Sequence, residues 1–329
     1  MDFLLIQNAY QPHRNKPRNP FSIPPVHAKL LIILACLLYL FTPHIALAEK
    51  HSILIVTDNR GNIYNNINKL LTSDLQGNNH ITVQTLHFKN FRSDQISNKT
   101  TRLIITLGTK AAAIVPPSSI PTINSLIPEN SVHLPSSVTD NSFSIYLDQP
   151  ISRQLNFINL LLPSSKNIGV LTSAFSATKL PSLNIESKKL NLTLHAQTIN
   201  EENNLNRELN QLIENIDVLL ALPDPSIHNR ENIPFLLLST YRYNIPLIGF
   251  SKTYVHAGAI AAIYSSPPQI AQQISELALQ VINTPSSVSS HSFWPKYFSI
   301  ATNSSVANSL GIQLPTTQII KSKLLSLEK

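Results

Sequence analysis

The chain has 329 residues, which is more than one hydrophobic core usually serves, so we expect two packed lobes. Hydrophobic residues make up 43% of the chain and charged residues 13%, a balance that excludes an intrinsically disordered protein. The formal net charge is +7, but the basic residues are scattered and form no Lys/Arg cluster with interleaved aromatic residues, so the charge does not indicate a nucleic-acid partner.

The N-terminal segment has the pattern of an export signal. Residues 1–28 are rich in proline and basic residues and are expected to lie outside the fold. Lys29 then precedes an apolar run at residues 30–41, which is too short to span a membrane as a helix. Ala46 and Ala48 offer small residues at the −3 and −1 positions of a signal-peptidase site. We therefore expect cleavage after Ala48 and a periplasmic mature protein.

Two other interpretations of this segment remain open. In one, the apolar run is retained as a membrane tether. In the other, Cys36 is a lipoprotein acceptor, because residues 33–36 (ILAC) loosely resemble a lipobox, although about six upstream apolar residues would be a short signal core. Cleavage after Ala48 instead removes the single cysteine together with four basic residues and one acidic residue, so the formal charge falls from +7 to +4. The mature chain then has neither a disulfide nor a thiol nucleophile.

From residue 52 onward, short β-branched runs alternate with amphipathic stretches, as in βαβ units on a parallel sheet. A first series has predicted strands at residues 52–57, 81–88, 103–107, 121–126 and 143–147, and predicted helices at 65–75 and 111–115. A second series, after Asp148-Gln149-Pro150, has predicted helices at 152–162, 203–216 and 270–282, and predicted strands at 167–172, 192–198, 217–222 and 246–250.

The two series predict two lobes of one architecture. We expect the first lobe at residues 49–150, joined by part of 268–290, and the second at 151–267, joined by 291–329. The Ser/Pro-rich stretch at 284–290 is expected to be a crossover linker. Because ligands in open α/β sheets bind beyond the carboxyl ends of the strands, the cleft between the lobes is the predicted site.

Several segments resemble one protein family. In the second lobe these are residues 217–224 (DVLLALPD), 245–251 (IPLIGFS), 254–259 (YVHAGA) and 298–303 (FSIATN), followed by Ala307, Leu310-Gly311 and Leu314-Pro315. In the first lobe, residues 107–112 (LGTKAA) resemble the family's turn from a strand into a helix. Over residues 52–315 the chain is similar to ABC transporter substrate-binding proteins of the tryptophan- and tyrosine-type solute receptors.

The resemblance implies an α/β fold with two Rossmann-like lobes and parallel sheets, the type I periplasmic-binding-protein architecture. It implies a monomeric receptor without cofactor that captures an amino acid or similar metabolite in the inter-lobe cleft and passes it to an ABC permease or another envelope protein. The first loop, at residues 58–63, is shorter than is usual in the family. Because this loop commonly helps form the pocket, its short length weakens the case for an aromatic amino-acid ligand.

The candidate ligand-binding residues lie at predicted strand ends and helix starts, where donors and acceptors can meet a desolvated ligand. They are Thr57, Asp58, Thr109, Lys110 and Ser125 in the first lobe and Thr172, Ser173, Asp224, Ser251 and Tyr254 in the second. Free amides at the helix start near Thr109 would favour a ligand carboxylate. Helix capping is an equal alternative for the Ser and Thr residues and for Asp224, and lobe packing is the alternative to ligand stacking for Tyr254.

The sequence has none of the common catalytic motifs. It contains no nucleophile elbow, no zinc-protease helix, no P-loop and no dinucleotide-binding glycine pattern. Its histidines are spaced singly, so we expect no metal site and no enzyme. Three functions stay open in decreasing order: a receptor for an ABC importer, a sensory or accessory binding protein of the same fold without its own permease, and a periplasmic hydrolase or transferase.

Overall fold

The computed structural model describes residues 51–58, 61–77, 80–96, 100–131, 141–200, 204–285, 288 and 290–328. The expected signal segment at residues 1–48 lies outside this part, so its cleavage remains a prediction. Within the described ranges, no helix is both long enough and apolar enough to cross a membrane.

Strands and helices alternate along the described chain. The strands are β1 (His51–Thr57), β2 (Ile81–His87), β3 (Thr101–Leu107), β4 (Thr122–Ile127), β5 (Ser142–Tyr146), β6 (Asn167–Thr172), β7 (Thr193–Thr198), β8 (Val218–Leu220), β9 (Leu247–Gly249), β10 (Ala261–Tyr264), β11 (Ser292–Phe293) and β12 (Ser299–Thr302). The helices are α1 (Asn62–Gln76), α2 (Thr109–Ile114), α3 (Ile151–Leu161), α4 (Leu180–Lys189), α5 (Leu205–Ile213), α6 (Asn232–Arg242), α7 (Lys252–Ala257), α8 (Pro267–Asn283), α9 (Ser304–Ser309) and α10 (Thr317–Leu327).

The described strands form two sheets of six. The first sheet has the order β2-β1-β3-β4-β5-β11, and every neighbouring pair in it is parallel. The second has the order β7-β6-β8-β9-β10-β12, in which the edge strand β12 runs antiparallel to β10 and the other pairs are parallel. The predicted α/β fold with two parallel sheets is therefore confirmed.

Both faces of the first sheet are buried. Residues 53–56 of β1 are apolar at four successive positions, as expected for a strand covered on both sides. Ile67, Leu71 and Leu75 recur every fourth residue along α1 and pack on one face together with α8, while α2 covers the other. Each such fully buried side chain contributes roughly 1.5–3 kcal/mol through the hydrophobic effect.

The second sheet is covered in the same manner. Helices α3, α4, α9 and α10 pack on one face around the fully buried Phe157 and Phe298. Helices α5, α6 and α7 pack on the opposite face. Each sheet thus has its own core, and these two cores form the two lobes.

The chain passes between the lobes at three places: residues 147–150, 265–266 and 294–298. Gln149 Nε2 donates a hydrogen bond to Ser265 Oγ at 2.9 Å, and Ser265 Oγ donates to the Tyr297 carbonyl at 2.7 Å, so the three crossing segments lie side by side. Because β11 belongs to the first sheet, the chain returns to the second lobe after Phe293 rather than at residue 291.

Candidate functional site

The carboxyl ends of the two sheets meet on one side of the crossing segments. Asn130, in the turn after β4, donates from Nδ2 to the carbonyl of Phe175, in the turn after β6, at 2.6 Å. Asp148 accepts a hydrogen bond from the Glu129 backbone N–H at 2.8 Å and pairs with Lys179 of the second lobe. The edges that the sequence predicts to face each other are therefore in contact at this point.

A pocket of about 300 Å³ lies at the carboxyl ends of β1 and β2 in the first lobe. Its lining residues are Asp58, Tyr64, His87, Phe88, Lys89 and Lys110. Asp58 and Lys110 were among the predicted site residues. The others were missed, although Phe88 ends a predicted strand and Lys89 directly follows it, so both satisfy the same strand-end rule.

The start of α2 does not have the free amides that we expected for binding a ligand carboxylate. Asp58 Oδ2 accepts from the Lys110 N–H at 3.0 Å, and Asp58 Oδ1 accepts from the Ala111 N–H. Gly108, at φ +102°, allows this approach, because a Cβ there would lie 2.6 Å from the Asp58 carboxyl group. A carboxylate of the protein itself therefore occupies this helix start.

Asp224 occupies a similar place in the second lobe. It is 1% exposed, and its Oδ2 accepts from the hydroxyls of Ser173 at 2.7 Å and Ser176 at 2.5 Å and from the Ser173 N–H at 3.1 Å. Its Oδ1 accepts from the Ser226 N–H at 2.9 Å. Burial raises the pKa of Asp224, but the hydrogen bonds from Ser176, Ser173 and Ser226 outweigh it and hold the pKa below its ordinary value. Groups of the protein itself therefore occupy the Asp224 carboxylate, and the residues that it caps form a turn at 225–227 rather than the helix expected from the sequence.

Tyr254 packs inside the second lobe and is 2% exposed. Its hydroxyl lies 3.0 Å from His228 Nδ1, and its ring meets those of His228 and Phe250 edge to face. Burial lowers the pKa of His228 to about 4, against an opposing effect of Asp224. Ser251 caps α7, since its Oγ accepts from the Tyr254 N–H at 3.1 Å. Both residues therefore have structural partners in the present arrangement.

The remaining predicted residues have different surroundings, and Ser125 lies inside β4, two residues before its end, rather than at a strand end. Thr57 ends β1, and Thr109 is the exposed first residue of α2. The Thr172 hydroxyl lies 3.0 Å from that of Thr198. The Ser125 hydroxyl is buried and has no hydrogen-bond partner among the described residues. The first-lobe residues Asp58 and Lys110 share a pocket, whereas the second-lobe residues are largely paired with one another.

Metal-binding groups are not concentrated anywhere in the described ranges, where no cluster of three or more His, Cys, Asp or Glu side chains occurs.

Comparison with known proteins gives a family and a fold. The model of a family described as ABC transporter substrate binding protein matches residues 62–323. Proteins with curated descriptions yield no sequence match.

Three solved structures share the architecture at low sequence identity. A ligand-free, open substrate-binding protein with adhesive properties from Clostridium difficile is 18% identical with a TM-score of 0.66, covering 81% of this chain and 97% of its own. An ABC domain in complex with L-Trp from Streptococcus pneumonia is 17% identical with a TM-score of 0.57, covering 82% and 98%. A periplasmic ribose ABC transporter protein from Conexibacter woesei is 11% identical with a TM-score of 0.52, covering 81% and 96%. The predicted type I periplasmic-binding-protein architecture is confirmed.

Proposed function

The chain belongs to the family of ABC transporter substrate-binding proteins, and from this premise we propose that it is exported to the periplasm, captures a small molecule between its lobes and delivers it to an ABC importer without changing it chemically. The observation that carries this proposal is the pairing of two parallel sheets whose carboxyl ends approach each other across three crossing segments.

The crossing segments support a hinge. A side-chain hydrogen bond joins Gln149 to Ser265, and the Ser265 hydroxyl donates to the backbone carbonyl of Tyr297. Each lobe keeps a separate hydrophobic core. Two rigid cores joined through a narrow set of backbone crossings can rotate as bodies with little internal repacking. A ligand that contacts both lobes would then favour the closed arrangement by its differential affinity.

The pocket at the carboxyl ends of β1 and β2 supports the position of the ligand. Polar and aromatic side chains line this pocket, among them Lys110 and Phe88. These groups lie at the sheet edge where α/β proteins bind ligands. In the present structure the pocket is lined by the first lobe, and lobe closure would supply the opposite wall.

The experiment combines a thermal-shift screen with scattering. The chain from residue 49 is screened against amino acids, nucleosides, sugars, vitamins and small carboxylates, and a true ligand raises the melting temperature by mass action. Small-angle scattering of the stabilised complex should show a smaller radius of gyration. Mass spectrometry of the recovered ligand should show an unaltered compound.

Three outcomes would change the assignment. A flat thermal response across all classes would overturn the receptor function. An altered compound would support the hydrolase or transferase alternative. Tight binding without uptake into vesicles prepared from the native membrane would support the sensory or accessory alternative.

A further inference from the structure

The charges in the first-lobe pocket do not balance. It is lined by one carboxylate, Asp58, and by two ammonium groups, Lys89 and Lys110. Asp58 is occupied by the amides of Lys110 and Ala111. In the described part of the chain, Lys89 and Lys110 form no ion pair, whereas Lys179, buried at the crossing, has a carboxylate partner.

Asp58 also determines which groups could receive an anion. Its carboxylate already accepts from the first amides of α2, so a ligand anion cannot use them without displacing it. The lysine side chains remain as donors, and an ammonium group is a strong charge-assisted donor to a carboxylate. Burial and the nearby charge of Asp58 raise the pKa of Tyr64, so its hydroxyl stays protonated at neutral pH and can donate as well.

The other walls of the pocket are aromatic. The rings of His87 and Phe88 lie with their centroids 4.8 Å apart, and the Lys110 Nζ lies 5.9 Å from the centroid of Phe88. The volume of about 300 Å³ is at the lower limit of small-molecule sites, which suits one or two rings rather than an oligomer. A flat ring can stack on Phe88 while its acidic substituent reaches Lys110.

We propose that the ligand is a small planar organic anion, whose acidic group is bound by Lys89 and Lys110 and whose ring lies against Phe88. This inference rests on the proposed receptor function, because it names the ligand class of the same site.

The test compares acids with their uncharged amides of equal shape. Calorimetric titration uses benzoate, phenylacetate and indole-3-acetate against benzamide, phenylacetamide and indole-3-acetamide. At least one acid should bind, with a Kd about tenfold below that of its amide. Lys110→Gln and Lys89→Gln should each raise the Kd of that acid about five- to tenfold and leave the Kd of the amide unchanged. Lys188→Gln, which removes an exposed lysine near the end of α4, ahead of β7 in the second lobe, is the matched control and should have no effect.

The inference is overturned when amides bind as tightly as acids, or when the two pocket variants behave like the Lys188 control. Stabilisation by sugars or nucleosides without any binding of the acids would overturn the anion specificity and leave the receptor function standing. The absence of binding by every class of compound would overturn both.

Discussion

Asp148 and Lys179 form an ion pair that is almost fully buried where the lobes meet: Lys179 Nζ lies 2.5 Å from Asp148 Oδ1, and the side chains are 5% and 2% exposed. Asp148 follows β5 at the first crossing segment and also accepts the Glu129 N–H, while Lys179 ends a 3₁₀ turn of the second lobe. The pair therefore links both lobes at the proposed hinge.

Asp148→Asn should destabilise the protein by about 3–5 kcal/mol, because the substitution removes the carboxylate paired with the buried Lys179 ammonium and leaves it with the more distant Glu129 carboxyl. Urea unfolding measures the loss. Glu186→Gln removes the partner of Lys189, whose side chain is 62% exposed, and should cost less than about 1 kcal/mol. The double variant Asp148→Asn/Lys179→Met should recover part of the stability. Equal losses of stability in Asp148→Asn and Glu186→Gln would contradict a structural role for the Asp148–Lys179 pair.

Asp58→Ala should destabilise the first lobe by roughly 1–2 kcal/mol, because the amides of Lys110 and Ala111 lose their acceptor. The matched control is Asp94→Ala, which removes an exposed ion pair with Arg92 and should cost no more than about 0.5 kcal/mol. Chemical denaturation of both variants, measured side by side, gives the two losses in free energy of unfolding to be compared. A loss in Asp58→Ala no larger than in the control would contradict the capping role.

Asp224 should contribute to acid sensitivity below about pH 4. Its folded-state pKa lies below its unfolded value of about 3.9, so its carboxylate stabilises the fold above that value, and the contribution is lost as the pH falls through the folded-state pKa. Asp224→Asn should lower stability at pH 7 by about 2 kcal/mol, since the amide nitrogen cannot accept the bonds of Ser173 and Ser176. Unfolding of this variant should depend less on pH below about pH 4, and an unchanged slope would contradict the assignment.

His228 should cause a second loss of stability as the pH falls, at higher pH values than the loss caused by Asp224. Burial lowers its folded-state pKa from 6.5 to about 4, so between these values the unfolded chain binds a proton that the folded chain does not. Stability should fall by about 3 kcal/mol as the pH drops across this window. His228→Gln does not titrate and can still hydrogen-bond the Tyr254 hydroxyl, so it should flatten the profile. His256→Gln, at an exposed position, is the matched control, and similar profiles for both variants would rule out burial of His228 as the cause.

Export by signal peptidase can be tested on the chain from Met1. The wild type recovered from the periplasm should begin at Glu49, as measured by intact mass. Ala48→Leu should block cleavage, because the −1 position requires a small residue. Cys36→Ser should leave processing unchanged, and loss of processing in this variant would instead support the lipoprotein interpretation.

Much of the fold could be predicted from the sequence, because parallel strands buried on both faces appear as continuous apolar runs. Residues 167–172 are predicted and observed as a strand with the same limits. Helices α4 and α6 were missed, and both contain a proline in the first turn, Pro181 and Pro234. Proline is tolerated there because the first helical N–H groups need no intrahelical acceptor. Helix α4 also buries only Leu183 and Ser187, too little for a visible apolar period.

The site was less predictable, because the sequence indicates strand ends but not which polar groups satisfy each other across them. Asp58 and Lys110 lie 52 positions apart and meet because β1 and β3 are neighbours. Tyr254 turns inward because Gly249 leaves room for it: a Cβ at Gly249 would lie 2.8 Å from that of Tyr254. Such contacts depend on tertiary structure, and no local pattern contains them.

The three crossings also impose an order of assembly during synthesis. The first core takes α8, at residues 267–283, and β11, at 292–293, from the far end of the chain. When the ribosome has made only the first 150 residues, one face of that sheet still exposes apolar surface to water. A domain normally folds only once its whole core has been synthesised, so the first lobe cannot complete its fold before the C-terminal half is made. Export of the unfolded chain would keep the exposed apolar surface out of the cytoplasm.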